Sequence, residues 1–351
     1  MAGVDEFALI RMLNQSGMKG VPGPAGSGVS VGIGDDAAVL RSAGGTELVV
    51  SCDTMVESVH FKPETMTYRD IGYKAMASSL SDLAAMGAKP RWALVALASS
   101  RGLSAARLGE LYDGLYACAN RYGATIVGGD TTSSPGGLTV TVTVIGEAAV
   151  GRALLRSSAK PGDAVFVTGP LGASAAGLRY LLAQGEAAPL LEALPDAIRP
   201  LARAHRMPEP RIVAGLLLGE ARTGLCGALN DISDGLASEA WEIAEASDAH
   251  IRLFGHCIPQ LDELRAYAAE TGLDPLDLAL YGGEDYELVG TVRADGVDEL
   301  SGIFAQAGLR FWVVGEVAEA SPYGSPAGVT FIREPGGEPV LLGKKGYNHF
   351  A

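Results

Sequence analysis

The spacing of hydrophobic positions changes repeatedly along the chain. Short runs rich in apolar and β-branched residues at 31–40, 46–54, 92–99, 124–128 and 138–147 predict strands. In 68–88 and 104–122 apolar residues recur with the helical period, which predicts helices. The run Thr139-Val140-Thr141-Val142-Thr143-Val144 alternates strictly, so one sheet face is threonine and the other valine. Neither face carries a charge, as expected if both are covered. From Arg152 to Asp163 the chain turns polar and ends in Pro-Gly-Asp, the mark of a hinge. We therefore expect an N-terminal domain over 1–150 and a C-terminal α/β domain over 151–351. The second half opens with a strand at 164–169, followed by helical stretches to about residue 220. Further strands are expected around 228–232, 250–254, 286–292, 311–317 and 328–332, with helices at 235–247, 261–271 and 295–307. The fold class is α/β (α+β) with two domains.

Composition narrows the functional classes. Lys and Arg number 27 against 41 Asp and Glu, a formal net charge of −14 over 351 residues, which argues against a nucleic-acid backbone as partner. Charged residues are 19% and hydrophobic ones 48%, so the acid belongs to a packed protein rather than a disordered acidic chain. Cys52, Cys118, Cys226 and Cys257 form no CxxC pair, so neither a zinc knuckle nor a disulfide framework is expected, and a reducing cytoplasm fits. The N-terminal stretch carries Asp5 and Glu6 before a short amphipathic segment and lacks the pattern of a signal peptide. No uncharged apolar run reaches about 18 residues, so no membrane helix is expected. Residues 20–30 read as a flexible Gly/Pro/Ser loop.

Common nucleotide signatures fail. There is no GxxxxGK[ST]. Gly32-Ile33-Gly34-Asp35-Asp36-Ala37 matches GxGxx[GA], but two aspartates stand where a pyrophosphate would meet backbone amides. Instead, aspartates recur beside small residues: Asp35-Asp36, Ser51-Cys52-Asp53-Thr54, Ser81-Asp82, Gly128-Gly129-Asp130, and Asp231-Ile232-Ser233-Asp234. Any one of these is readily a turn or a helix cap. Five together offer the hard oxygen ligands that Mg2+ takes.

Helix 68–88 places Tyr73, Met76, Leu80, Leu83 and Ala84 on one arc, with Ile71, Ala75, Ser78 and Asp82 opposite. That small-residue face is either solvated or close to a second element that shares a metal with Asp82. Glu284, Asp285 and Glu287 crowd a turn entering a strand, where like charges call for a cation or cationic ligand unless all three are solvated. Arg152 and Arg156 in the hinge suit phosphate, or a surface ion pair. His60 reads as a structural or surface residue, no HxxxH spacing occurs, and no Ser sits in a GxSxG elbow. No covalent nucleophile is therefore expected, and a reaction needing no base fits. A phosphate acceptor is already anionic near neutrality.

The ordered segments GIGDDAAVL (32–40), SCDTMVESVHF (51–61), SLSDLAAMGAKP (79–90), VGGDTT (127–132), RSSAKPGD (156–163), DISDGL (231–236), GGEDYEL (282–288) and GYNHF (346–350) resemble the thiamine-monophosphate kinase family. That family shares a superfamily with aminoimidazole-ribonucleotide synthetase, selenophosphate synthetase and the hydrogenase-maturation dehydratase. The resemblance implies ATP-dependent phosphorylation of thiamine phosphate to thiamine diphosphate by direct γ-phosphoryl transfer. It implies several Mg2+ ions held by Asp36, Asp53, Asp82, Asp130 and Asp231, with Ser51 and Asp234 nearby. ATP would meet Gly129, Asp130, Arg156 and Ser233, and the thiamine phosphate would meet His60, Glu284 and Tyr347. The resemblance also implies a homodimer whose N-terminal sheets close into a barrel. Cys52 stands where the family usually has Thr, so that position keeps only its backbone carbonyl as a ligand. Two other readings use the same acids: a superfamily enzyme phosphorylating an amide or carboxylate oxygen, and a non-catalytic nucleotide-binding regulator.

Overall fold

A computed structural model describes residues 29–344 apart from 33, 43, 101, 186–187, 222–223 and 320–326. The expected N-terminal amphipathic stretch, the loop over 20–28 and Tyr347 lie outside the described residues. Within them the chain forms two mixed α/β layers, each a sheet backed by helices.

The first sheet contains β1 (Val29–Val31), β2 (Ala38–Arg41), β3 (Thr46–Val56), β4 (Lys89–Ser99), β5 (Thr125–Ser133) and β6 (Thr139–Ala149) in the order β1-β2-β3-β6-β4-β5. Only the β4–β5 pair is parallel. The strand expected over 31–40 is thus two strands, broken by a bend at Gly34–Ala37 where consecutive Asp35 and Asp36 favour a turn. The loop expected over 20–30 likewise gives way to strand at Val29. Strand β5 runs on through the Gly-Gly-Asp motif rather than ending before it.

Helices α1 (Tyr68–Ala85) and α2 (Ala105–Tyr122) pack together on one face of this sheet. Thr67 caps α1: its side chain accepts from the Asp70 amide, and Asp70 returns the bond to the Thr67 amide at 3.0 Å. The two helices cross at Gly72 and Gly114, where an added Cβ would lie 1.9 Å from the carbonyl oxygen of Leu111 or Arg69 respectively. Small residues here are a packing requirement.

The same logic resolves the small-residue face of α1. Ile71, Ala75 and Ser78 are buried, and the helix contacts not only the sheet but also the helix Ile212–Glu220 and the strand Cys226–Asp231 of the second layer. One hydrophobic core therefore runs from Leu80 and Leu83 across the chain to Phe166, Leu229 and Phe304. On β6 the valines are fully buried while Thr139, Thr141 and Thr143 are half-exposed, so a single chain covers one face only.

The second layer is a seven-stranded sheet of β7 (Ala164–Val167), β8 (Cys226–Asp231), β9 (His250–Phe254), β10 (Leu288–Val292), β11 (Trp312–Ala318), β12 (Gly328–Ile332) and β13 (Val340–Leu341), in the order β13-β12-β9-β11-β7-β10-β8. Its helices are α3 (Ala173–Gln184), α4 (Arg199–Arg206), α5 (Ile212–Glu220), α6 (Leu236–Ser247), α7 (Asp262–Thr271), α8 (Pro275–Tyr281) and α9 (Val297–Gln306). Helix α8 went unread in the sequence, although Asp274 caps it and Pro275 opens it, as helix starts favour. Among the described residues no helix is long and apolar enough to cross a membrane.

Candidate active site

Three segments distant in sequence bring carboxylates together. Asp36 comes from the bend before β2, Asp82 from the last turn of α1, and Asp231 from the end of β8. One oxygen from each lies within 4.8 Å of the others. The buried contact of α1 with β8 is what joins them, so the small-residue face of α1 has a function in placing Asp82. Ser51 on β3 donates to Asp82 Oδ2. The Oδ2 of Asp36 is buried and has no hydrogen-bond partner among the described residues.

The electrostatics match this crowding. Burial, then Asp53, Asp231 and Asp36, push Asp82 well above the ordinary carboxylate range. Burial likewise raises Asp36 despite the opposing Arg156. Asp231 and Asp53 are each pushed up to about 6, in both cases chiefly by burial. Buried carboxylates that repel one another, with a bare oxygen among them, fit a hard divalent cation.

Arg156 lies at the edge of the cluster. It donates to Asp36 Oδ1 through Nη2, pairs with Glu242 Oε2 at 2.9 Å through Nη1, and donates to Asn230 Oδ1 at 3.1 Å through Nε. Asn230 in turn donates to Glu239 Oε2 at 2.7 Å. Glu239 also accepts from Ser233 Oγ at 3.2 Å and from the Asp234 amide at 3.0 Å, which fixes the turn carrying Ser233 and Asp234. Neither Glu239 nor Glu242 was singled out from sequence. Their signal is faint: two acids three apart on α6, directly after the Asp-Gly turn.

A cavity of about 420 Å³ opens beside the cluster. Asp53, Asp82, Asp231, Ser233 and Asp234 line one side, and His60 and Glu284 line it as well. His60 Nδ1 accepts from the Val56 amide at 3.0 Å, which fixes its ring at a tight turn. Glu284 (φ 58°) and Tyr286 (φ 50°) both hold left-handed backbone conformations, uncommon for residues with a side chain. Their amides donate to Ser233 O at 2.6 Å and Ile232 O at 2.9 Å, so two motifs about fifty residues apart brace each other across the cavity.

The three acids of this loop do not share one cation. Burial alone would raise Glu284, but Lys74 Nζ at 2.6 Å and His205 Nδ1 at 3.3 Å hold it down at about 2. Asp285 turns away and accepts from the Gly172 and Ser174 amides at the start of α3, with burial raising it to about 7. Glu287 accepts from Arg211 Nε at 2.7 Å and Thr168 Oγ1 at 2.8 Å. They are neighbours in sequence, but the left-handed backbone at Glu284 and Tyr286 turns the three side chains to different partners before β10 begins.

Gly129 and Asp130 lie elsewhere. They sit on exposed β5 in a separate cleft with Tyr112 and Tyr116, and Asp130 accepts from the Thr131 amide at 2.9 Å. Gly129 (φ 155°) lies flush on β4, where a Cβ would fall 1.8 Å from Val95 O. Among the described residues, one chain therefore groups Asp36, Asp82 and Asp231, with Asp53 and Ser51 adjacent, and leaves Asp130 outside.

Residues 34–148 match the family described as AIR synthase related protein, N-terminal domain, and residues 160–324 match its C-terminal domain. The thiamine-monophosphate kinase of Bacillus subtilis (strain 168) is 40% identical over 349 residues, 99% of this chain and 100% of that one. That of Escherichia coli (strain K12) is 40% identical over 323 residues, 92% of this chain and 93% of that one. The structure of AaThiL complexed with AMPPCP and TMP superposes with a TM-score of 0.81 at 28% identity, covering 99% of this chain and 97% of that chain. The thiamine-monophosphate kinase structure from Stenotrophomonas maltophilia K279a gives 0.73 at 35% identity, covering 88% and 92%. Hydrogenase maturation protein HypE in complex with ATP, at 22% identity and a TM-score of 0.69, shares the fold over 90% of this chain and 89% of that one. With two curated relatives at 40% identity across nearly its whole length, the chain belongs to the thiamine-monophosphate kinase family.

Proposed function

We propose that the chain transfers the γ-phosphoryl group of ATP directly and in line to thiamine phosphate, giving thiamine diphosphate. Family membership makes it a thiamine-phosphate kinase that uses ATP. The observation that carries the finer reading is the placement of the Asp36, Asp82 and Asp231 carboxylates beside a cavity whose wall also holds the ionised Glu284.

In this reading Asp36, Asp53, Asp82 and Asp231 hold several Mg2+ ions, with Ser51 and Asp234 beside them. Bound there, Mg2+ supplies neutralisation of phosphate charge and a template for aligning the two phosphates. The protein's own residues do the rest. Glu284 offers a fixed anion to the cationic or hydrogen-donating part of the thiamine moiety, and His60 flanks it. By the family resemblance Tyr347, outside the described residues, is assigned to the same substrate. Ser233, held by Glu239, faces the nucleotide phosphates, and Arg156 balances the acids at the edge of the cluster.

No step requires a general base. The acceptor is a phosphate monoester already anionic at neutral pH, so positioning and charge neutralisation account for most of the catalysis. Glu284, ionised down to about 2, could not take a proton from an alcohol near neutrality.

The assembly we propose is a homodimer formed through the N-terminal domain, 1–150, with sheets from two copies closing a barrel. The outer sheet face supports this: Trp92 is 36%, Leu94 39% and Val127 55% exposed on adjacent strands. The same strands carry Gly129 and Asp130, so pairing brings them to the partner's site, where they serve ATP and metal. Residues 151–351 supply the remaining phosphate, metal and substrate contacts.

Chromatography of products with each acceptor tests the chemistry. Thiamine diphosphate should form from thiamine phosphate and not from free thiamine. Phosphate label trapped on the protein, or diphosphate made from free thiamine without a monophosphate intermediate, would exclude direct transfer to a phosphate acceptor.

A further inference from the structure

Lys74 is the most deeply buried ammonium group among the described residues, with a side chain 0% exposed in the middle of α1. An ammonium there is costly unless paired. Its partner is Glu284 Oε1 at 2.6 Å, and the other carboxylate oxygen, Oε2, lies 3.3 Å from His205 Nδ1 on α4. His205 is also buried, and burial, then Lys74, lower its pKa; its Nδ1 lies 3.4 Å from Lys74 Nζ as well, and the neutral tautomer with its hydrogen on Nδ1 is the one that bonds Glu284. Neither residue lines the cavity, whereas Glu284 does, with 26% of its side chain exposed. The carboxylate thus has two donors behind it and its remaining lone pairs toward the cavity.

We infer that Lys74 and His205 are positioning residues for recognition of thiamine phosphate: they fix the Glu284 carboxylate as an oriented anion without touching substrate. The inference rests on the reading of Glu284 as the substrate's anchor. The backbone alone does not secure that orientation: the bond from the Glu284 amide to Ser233 O fixes the loop but leaves the side-chain torsions free. A carboxylate free to swing loses part of its binding energy to ordering. Three separate elements, α1, α4 and the loop before β10, are needed to hold one charge in place.

Steady-state kinetics with thermal melting of Lys74→Met, His205→Gln, Glu284→Gln and the double variant Lys74→Met/Glu284→Gln test this. Lys74→Met should raise the KM for thiamine phosphate about tenfold or more while leaving the KM for ATP within about twofold. His205→Gln should raise it by a smaller factor in the same direction. The double variant should be no worse in that KM than Glu284→Gln alone, because the lysine acts only through the carboxylate. Should Lys74→Met fail to fold, the double variant, which removes both charges, and His205→Gln carry the test. An unchanged KM for thiamine phosphate in Lys74→Met, or KM values that rise alike for both substrates, would overturn the positioning role. An unchanged KM in Glu284→Gln would overturn the anchor reading itself and the inference with it.

Discussion

Arg156 donates to Asp36 across the boundary between the two layers, and its other nitrogens are engaged by Glu242 and Asn230. One guanidinium therefore ties the bend before β2 to β8 and α6, and leaves the second oxygen of Asp36 bare inside the cluster. An ammonium could not reproduce this, since it is a point charge without the planar fork.

Arg156→Lys should accordingly lower kcat/KM for ATP by about one to two orders of magnitude, because several charge-assisted bonds to the nucleotide-side acids are lost together. Steady-state kinetics at saturating thiamine phosphate measure it. Activity within a factor of about two of wild type would show that the fork is dispensable.

Asp82→Asn separates catalysis from folding. An amide is a weak ligand for a hard cation, so turnover should fall by about a hundredfold or more. Stability in the presence of chelator should hold or rise, since a buried carboxylate facing Asp36 and Asp231 is removed. Melting in EDTA beside a turnover assay gives both numbers, and a fall in both would mark Asp82 as structural.

The raised pKa values set the pH dependence. Asp53 and Asp231 titrate at about 6 in the folded chain, above the ordinary carboxylate range. The folded state therefore binds more protons than the unfolded one between about pH 4 and 6, and the contribution of these groups to stability is lost as pH rises through that window. Mg2+ binds the ionised form, so its stabilising effect should be greater at pH 8 than at pH 5. Thermal shift with and without MgCl2 at the two pH values checks it. Equal shifts would mean the carboxylates are not the ligands.

The parts legible in sequence were those with strong local periods. The Thr/Val faces of β6 follow directly from period-two alternation, and strand 328–332 from a short β-branched and aromatic run. Helix α1 was visible, but which side faced water was not, because a helix of Ala, Ser and Gly buried on nearly all sides has almost no amphipathic contrast. The carboxylates of Asp36, Asp82 and Asp231 stood out by their small neighbours. Their joining was not legible, because it depends on α1 meeting β8 across more than a hundred residues. Glu239 and Lys74 are not legible for one reason: each acts on another side chain, and an acid in a first helical turn or a lysine within a helix is ordinarily a solvated surface residue.

The subunit that supplies Asp130 follows from the pairing face. In one chain Asp130 stands on exposed β5, apart from the Asp36, Asp82 and Asp231 group, and shares its strands with the exposed Trp92, Leu94 and Val127. If two copies pair through that face, each site takes its cluster from one chain and its Asp130 from the other. Asp130→Asn and Asp82→Asn should then each be inactive as homodimers. Mixed, unfolded together and refolded, they should regain activity, since one of the two sites in every heterodimer has both residues intact. Random pairing of equal amounts gives about half heterodimers, hence about a quarter of wild-type activity. Val127→Glu, which places a charge on the pairing face, should give monomers by light scattering and abolish the regain when built into both parents. No recovery on mixing, with heterodimers demonstrated by mass, would place Asp130 in the same chain's site or outside the site altogether.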